Sequence, residues 1–174
     1  MTLKMTDITI ATHNGNFHAD DVFSIAALKN IFPAFNLVRT RDLEVIGKAD
    51  VVIDVGGIYD PETGRFDHHQ RGGAGERENG IPYSSFGLVW KKYGVEICGG
   101  NQDVANSVDS SLVSTIDAID CGHAEGVSKG ISLSQTISMF NPTWEEESHY
   151  DVCFDEAVAF ASRVLTRFIA SASG

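Results

Sequence analysis

The chain has 174 residues, of which 43% are hydrophobic and 21% are charged, a composition typical of one globular domain rather than a disordered segment. Its 13 basic and 24 acidic side chains give a formal net charge of −11 at pH 7, which argues against a protein that holds duplex DNA by neutralising phosphates. Carboxylates gathered around divalent metals would be neutralised locally, so a short oligonucleotide end or a small phosphorylated substrate stays compatible with this charge. We expect residues 1–174 to form a single domain.

The cysteines and the N-terminus indicate the compartment. Cys98, Cys121 and Cys153 are widely spaced and form neither a CxxC metal motif nor a disulfide framework, which favours a reducing cytoplasm. The N-terminal residues offer neither a signal-peptide core nor a run of about 20 apolar residues able to span a membrane. The sequence therefore predicts a cytoplasmic protein without a membrane partner.

Predicted strands and helices alternate in the first half of the chain. The β-branched segment Ile8–Thr12 predicts a strand, and helical spacing of apolar residues begins at Asp20. Residues 37–39 predict a second strand, and residues 51–55 form an apolar run typical of a parallel strand covered on both faces. This alternation indicates an α/β fold with a mostly parallel sheet flanked by helices.

The second half begins with turn signals and continues with helical patterns. Residues 58–59 and 65–66 are predicted to pair as a hairpin, and the four glycines of residues 71–80 favour a mobile loop. Apolar residues three and four apart predict one helix near residues 86–93 and another over residues 104–119. A last helix is predicted to begin near residue 155.

Four of the six histidines lie in two short segments, HNGNFHADD and FDHHQ. Taken alone, His13 before Asn-Gly suits a turn, and the aspartates after His18 suit the start of a helix. The adjacent ionisable groups of FDHHQ are harder to explain as purely structural residues, because burying them without partners is costly. Asp54 ends an apolar strand just before two glycines, which is a position where α/β proteins build their sites.

Imidazoles and carboxylates in one pocket suit Mn, Fe, Co or Zn better than Mg, which prefers oxygen ligands. His13, His18 and His68 could hold one ion, Asp20 and a later aspartate a second, and Asp54 could lie between them. Two ions about 3.5–4 Å apart would activate water and stabilise the leaving oxygen of an in-line displacement at phosphorus.

The segments HNGNFHADDV, DVGGIYDP and RFDHHQ, in this order, resemble the DHH phosphoesterase superfamily and, more closely, its melanocyte-proliferating-gene exonuclease family. The resemblance runs from about Thr12 to Gly122 and includes SLSQTISMFNPTW from Ser132 onward. It implies a phosphoesterase with two divalent metal ions, most often Mn, related to 3′ to 5′ RNA exonucleases. Mg, Co, Zn and Fe remain alternatives to Mn.

The resemblance also implies roles for individual residues. The implied metal ligands are His13, His18, Asp20, Asp54, His68 and a last aspartate in TIDAIDCG. For that last ligand Asp117 and Asp120 both remain open, with Asp120 favoured. The expected catalytic residues are Asp54, His68 and His69, the last as a phosphate-contacting side chain or as a support for its neighbour.

DHH enzymes often carry a second, C-terminal domain whose basic residues bind substrate, and the resemblance covers only the first domain. Arginines on loops would have to replace that domain. Arg65 and Arg71 are the predicted substrate contacts, and Arg77, Arg39 and Arg41 are further cations that could take part.

Three functions stay open at this point. The first is a metal-dependent phosphoesterase that acts as a 3′ to 5′ exonuclease on RNA or short oligonucleotides. The second keeps the metals but hydrolyses pyrophosphate, polyphosphate or a small nucleotide. The third is a metal-binding module without catalysis that needs a partner chain, and a homo-oligomer is compatible with an open cleft.

Overall fold

The computed structural model describes residues 8–123, 130–146 and 149–174. Its sheet has five strands: β1 (Ile8–Thr12), β2 (Phe35–Arg39), β3 (Val51–Ile53), β4 (Tyr59–Asp60) and β5 (Arg65–Phe66). Their order across the sheet is β2-β1-β3-β5-β4, and every neighbouring pair is parallel except the hairpin of β4 and β5. The predicted α/β fold with a mostly parallel sheet is confirmed.

The helices are α1 (Ala19–Leu28), α2 (Leu43–Lys48), α3 (Ser85–Ile97), α4 (Gln102–Val108), α5 (Ser114–Asp120), α6 (Leu133–Ser138) and α7 (Tyr150–Ala172). A π-helical segment, Asp109–Val113, joins α4 to α5, so the single helix predicted over residues 104–119 is interrupted in its middle. In the part of the chain that the structure describes, no helix has the length and apolar character needed to cross a bilayer.

Successive residues of the central strands face opposite sides of the sheet. Ile10 of β1 and Ile53 of β3 belong to the main core, which α1, α3 and α7 cover. Ala11 and Val52 point the other way and meet Ile46 of α2 in a smaller cluster. The central strands are therefore covered on both faces, as their apolar sequence predicted.

The strand register brings the candidate residues to one edge of the sheet. Thr12, Ile53, Phe66 and Arg39 end β1, β3, β5 and β2, and they pair in one row across the sheet. The residues that follow these parallel strands emerge together at the carboxyl edge, where open α/β sheets bind ligands. The site is thus a direct consequence of strand pairing.

Three helix predictions need correction. Helix α2 was not predicted, because it has only six residues, although Asp42 marks its start by accepting hydrogen bonds from the backbone of Glu44 and Val45. Helix α6 was also missed, and its sequence signal is the pairing of Ser132 with Gln135 at the first turn. The last helix begins at Tyr150, five residues before the predicted start.

The loop of residues 71–80 is anchored rather than free. Arg77 is 9% exposed and pairs with Asp109 at 2.8 Å and with Asp117 at 2.5 Å. Its guanidinium also lies 4.4 Å from the ring centroid of Tyr83. The glycine-rich composition misled the prediction, because the side chain of one arginine fixes the loop to the π-helical segment and to α5.

Gly64 offers a test of how the hairpin is held against β3. Its φ is +72°, and an added Cβ would lie 2.5 Å from the carbonyl oxygen of Asp50. We expect Gly64→Ala to lower the free energy of unfolding by about 3 kcal/mol, from backbone strain plus the clash. Gly80→Ala is the control, since φ is +79° but nothing lies within 4 Å, and it should lose only about 1 kcal/mol. Equal losses in urea unfolding would contradict the tight packing of this turn.

Candidate metal centre

Asp54 occupies the middle of the site. It directly follows β3 and adopts φ of 55°, a left-handed conformation that aspartate tolerates better than most residues. This backbone turns its 4% exposed side chain across the edge of the sheet. The hydroxyl of Ser85, at the start of α3, donates a hydrogen bond of 3.0 Å to Oδ1 of Asp54.

His13 follows β1 and lies on one side of Asp54. Its Nε2 is 3.3 Å from Oδ2 of Asp54 and 3.2 Å from Oδ2 of Asp21. Asp21 in turn accepts a 2.9 Å hydrogen bond from the backbone N–H of His18, the residue that caps α1. The first turn of α1 is thereby held next to the end of β1.

His68 and His69 lie on the other side of Asp54. Nε2 of His68 and Nδ1 of His69 are each 3.3 Å from Oδ1 of Asp54. Asp67 fixes the backbone of this segment, because its carboxylate accepts hydrogen bonds from the N–H groups of Gly57, His68 and His69. Its Oδ1 also lies 2.8 Å from Nδ1 of His69, which orients that ring.

Asp20 is fully buried, and neither of its carboxylate oxygens has a hydrogen-bond partner within the described chain. Its Oδ2 lies 3.8 Å from Nε2 of His68, which itself makes no hydrogen bond there. Asp120, the last residue of α5, brings Oδ2 to 3.3 Å from the same nitrogen. A buried carboxylate without donors is costly, whereas a cation would satisfy it.

The carboxylates and imidazoles shift one another's pKa values. Burial and the charges of Asp54 and Asp120 raise the pKa of Asp20 well above its usual value. Burial also tends to raise the pKa of Asp54, but the imidazoles of His13, His68 and His69 hold it well below its usual range. The carboxylates at this edge of the sheet thus carry more negative charge than the neighbouring imidazoles compensate, unless a carboxylate is protonated.

The same carboxylates raise the pKa values of the imidazoles. Burial lowers the pKa of His13, but Asp21 and Asp54 outweigh it and raise the value to about 10. Contact with Asp54 raises the pKa of His69 to about 9, against the effect of its burial. Without a metal ion these rings would be protonated at neutral pH, and a bound cation would displace those protons, because imidazole ligates a metal only in its neutral form.

The donor atoms form overlapping groups that could each hold a metal ion. The groups are His13, His18 and Asp54; Asp54, His68 and His69; His18, Asp20 and Asp120; and His68, Asp120 and Cys121. Within each group the donor atoms lie within 4.8 Å of one another. Asp54, His68, His18 and Asp120 each belong to two groups, so this donor set suits two neighbouring divalent ions.

Two clefts give access to this centre. The larger, which we call the α5 cleft, has a volume of about 490 Å³ and is bordered by Ile119, Asp120 and Cys121. The smaller, which we call the Arg41 cleft, has about 340 Å³ and is bordered by Arg41, Gly56 and Gly57. Both clefts share His18, Asp54 and His69, so they open onto the same group of side chains.

The two aspartates of TIDAIDCG have different surroundings. Asp117 is fully buried and accepts hydrogen bonds from Arg77, Ser84 and the backbone N–H of Gly87. Burial raises its pKa to about 6, although these donors oppose the shift. Asp120 is 20% exposed and contacts His68 instead, so Asp120 is the aspartate that faces the candidate centre.

Most of the arginines considered as substrate contacts are engaged elsewhere. Arg65 donates to the backbone carbonyls of Asp50 and Thr63, at the amino end of β3, away from the edge that carries Asp54. Arg39 donates to the carbonyl of Gly15 and pairs with Asp151. Arg77 pairs with Asp109 of the π-helical segment and Asp117 of α5, as described above.

Arg71 is exposed and lies two residues beyond His69. Its contact with substrate stays a prediction from the sequence.

The structure adds residues to the site that the sequence analysis did not assign to it. Asp21, Asp67 and Ser85 support the central side chains, and the first two could have been suspected from their adjacency to Asp20 and His68. Cys121 belongs to no metal motif in the sequence, but its Sγ lies 3.8 Å from Nδ1 of His68. Burial raises the pKa of this thiol to about 12, so it is not a reactive thiolate.

Comparison with known proteins places this site in a family. Residues 9–173 match the MYG1_exonuc family model, described as an uncharacterised protein family (UPF0160). The chain is 36% identical over 186 residues to the MYG1 protein of Caenorhabditis elegans, covering 92% of this chain and 54% of the relative. It is 35% identical over 163 residues to the human MYG1 exonuclease, covering 78% of this chain and 43% of the relative.

The chain thus spans about half the length of the curated relatives it matches. No solved structure matches it significantly. The family model covers nearly the whole chain, including every side chain of the candidate centre, and confirms the exonuclease family that the histidine and aspartate motifs indicated. The chain therefore belongs to the MYG1 family.

Proposed function

We propose that the chain is a metal-dependent phosphodiesterase of the DHH type, which removes nucleotides from the 3′ ends of RNA or short oligonucleotides. It would use a pair of divalent ions, with Mn as the favoured metal. The observation that carries the proposal is Asp20, a fully buried carboxylate whose two oxygens have no hydrogen-bond donor in the described chain. Such a group is stabilised by a bound cation. Relatives named MYG1 exonuclease support the choice of a nucleic acid as substrate.

The ligand roles follow from the donor groups. His13, His18 and Asp54 form one donor group, and Asp20 and Asp120 belong to another with His18, so each group would hold one ion with Asp54 between them. Nε2 of His68 would join the second ion, because it lies 3.3 Å from Asp120 and 3.8 Å from Asp20. Bound there, the ions would supply Lewis-acid stabilisation of the phosphate charge and lower the pKa of water. Mixed imidazole and carboxylate donors favour Mn over Mg. Zn, Co and Fe remain alternatives.

The surrounding side chains have supporting tasks. Ser85 donates to Asp54 and holds its carboxylate in one orientation. Asp67 orients the ring of His69, whose side chain is 62% exposed and lies at the junction of the two clefts. His69 is thereby positioned to donate a hydrogen bond to a phosphate oxygen as the charge on that oxygen grows.

The acidity of the chain favours a second candidate function. The α5 cleft has no lysine or arginine among the described residues that border it, and a long polyanion gains little attraction there. Pyrophosphate, polyphosphate or a small nucleotide would suit such a cleft. A rate that rises as the substrate is shortened to a dinucleotide or smaller would favour this candidate over an RNA exonuclease.

Hydrolysis of RNA tests the proposed function. With Mn²⁺, the protein is expected to release nucleotides from a short single-stranded RNA, and a chelator should stop the release. Asp54→Asn should lower the rate at least about 100-fold, because it removes a shared ligand. Asparagine tolerates the left-handed backbone at this position, so the variant should fold.

Asp103→Asn is the control for that experiment. It makes the same change at an exposed aspartate in the first turn of α4 and should keep full activity. An Asp54→Asn protein that retains most of the activity would contradict the shared-ligand role. A protein that binds Mn²⁺ but cleaves no phosphoester would instead favour a binding module that needs a partner chain.

Thermal unfolding tests the metal site without any substrate. Mn²⁺ at about 100 times its Kd should stabilise the fold by about 2.7 kcal/mol and raise Tm by about 5–10 °C. In Asp120→Asn this increase should be mostly lost, while the Tm in a chelator stays close to that of the unmodified protein. The reason is that Asp120 lies among other carboxylates, with the imidazole of His68 at 3.3 Å, so the exchange removes negative charge from an acidic group at little cost to the metal-free fold.

Asp117→Asn should behave in the opposite way. It breaks the buried contact with Arg77 and should lose about 3 kcal/mol of stability in a chelator, yet keep the increase in Tm that Mn²⁺ produces. If Asp117→Asn abolished the metal effect and Asp120→Asn did not, the ligand assignment at α5 would be wrong.

A further inference from the structure

Arg41, like Arg71, has no acceptor among the described residues, but Arg41 alone of the two borders a cleft at the candidate centre. Within residues 8–123, 130–146 and 149–174 its guanidinium makes no hydrogen bond or ion pair, whereas Arg39, Arg65 and Arg77 are all engaged. Arg41 is exposed, and it borders the Arg41 cleft together with His18, Asp54 and His69. Its charge is therefore available to a ligand.

The backbone on both sides of Arg41 is fixed. The N–H of Thr40 donates a 2.7 Å hydrogen bond to the carbonyl of Thr12, which extends the pairing of β2 with β1 by one residue. Asp42 caps α2, accepting from the N–H of Glu44 at 2.8 Å. A side chain between these two anchors is held at the carboxyl edge of the sheet, unlike an arginine on a free loop.

The surroundings of Arg41 are strongly acidic. Asp54 and Asp67 border the same cleft, and Arg41 is the one lysine or arginine among the described residues that border either cleft. A phosphate group entering the Arg41 cleft would meet these carboxylates unless a cation faced it. Arginine suits this task because its planar guanidinium binds phosphate oxygens in pairs.

We propose that Arg41 binds the phosphate next to the scissile phosphate of an oligonucleotide, so that the Arg41 cleft is a subsite for the nucleotide preceding the cleaved bond. This inference rests on the proposed phosphodiesterase function and names the part of the substrate that the chain recognises. An oligonucleotide across both clefts would have its scissile phosphate at the shared residues His18, Asp54 and His69, with the neighbouring phosphate at Arg41.

Two dinucleotides test the subsite. ApA has one phosphodiester and no neighbouring phosphate, whereas pApA carries an added 5′-phosphate. Binding of their phosphorothioate analogues to the Mn²⁺-loaded protein is measured by calorimetry, and hydrolysis of the unmodified dinucleotides is measured in parallel. The unmodified protein should bind pApA about tenfold more tightly than ApA, as expected for one hydrogen-bonded charge pair.

Arg41→Gln should raise the Kd for pApA about tenfold and that for ApA less than threefold, so that the preference disappears. Arg167→Gln is the control, because it removes the same charge from an exposed arginine on α7. It should leave both Kd values unchanged. The differential effect distinguishes a subsite from a general loss of positive charge.

Other outcomes would overturn the proposal. No change in Arg41→Gln, or an equal loss for both dinucleotides, would exclude a subsite for the neighbouring phosphate. A larger loss for pyrophosphate than for pApA would assign Arg41 to a phosphoanhydride substrate instead. If the protein hydrolysed neither dinucleotide but bound pApA through Arg41, the phosphodiesterase proposal would fail while the phosphate subsite stood.

Discussion

The need to compensate buried negative charge at the carboxyl edge of the sheet determines the organisation of this structure. Asp20, Asp21, Asp54 and Asp67 are each at most 4% exposed, and Asp120 faces them from the end of α5. Histidines contact several of these carboxylates, but the oxygens of Asp20 stay without donors in the described chain. Protons or metal ions must supply the remaining charge, which is why this edge is the candidate active centre.

Strand pairing and two helices bring these carboxylates together. Parallel pairing puts the ends of four strands in one row, so His13, Asp54 and Asp67 leave the sheet side by side. The first turn of α1 adds Asp20 and Asp21, and α5 adds Asp120. A second acidic centre is compensated inside the fold, where Arg77 joins Asp109 to Asp117 and anchors the loop before α3. Asp117 and Asp120, three residues apart on α5, thus contact two different groups: Asp117 pairs with Arg77, and Asp120 contacts His68 of the candidate centre.

Sequence motifs located the candidate centre because its candidate ligands lie in short segments next to strand ends. His13, His18, Asp54 and His68 could be suggested without coordinates, since apolar strands and adjacent ionisable groups mark them. The choice between Asp117 and Asp120 needed the structure, because it depends on which of the two contacts Arg77 and which contacts His68. The anchoring of Arg77 and the position of Cys121 beside His68 depend on contacts 32 or more residues apart, which no local pattern records.

Crystals grown with Mn²⁺ and measured at the manganese absorption edge would test the central claim most directly. The account predicts two anomalous peaks about 3.5–4 Å apart on either side of Asp54, one beside His13 and one beside Asp20 and His68. A site without peaks, with Mn²⁺ bound elsewhere or not at all, would contradict it, because protons rather than metal ions would then compensate the buried charge of Asp20.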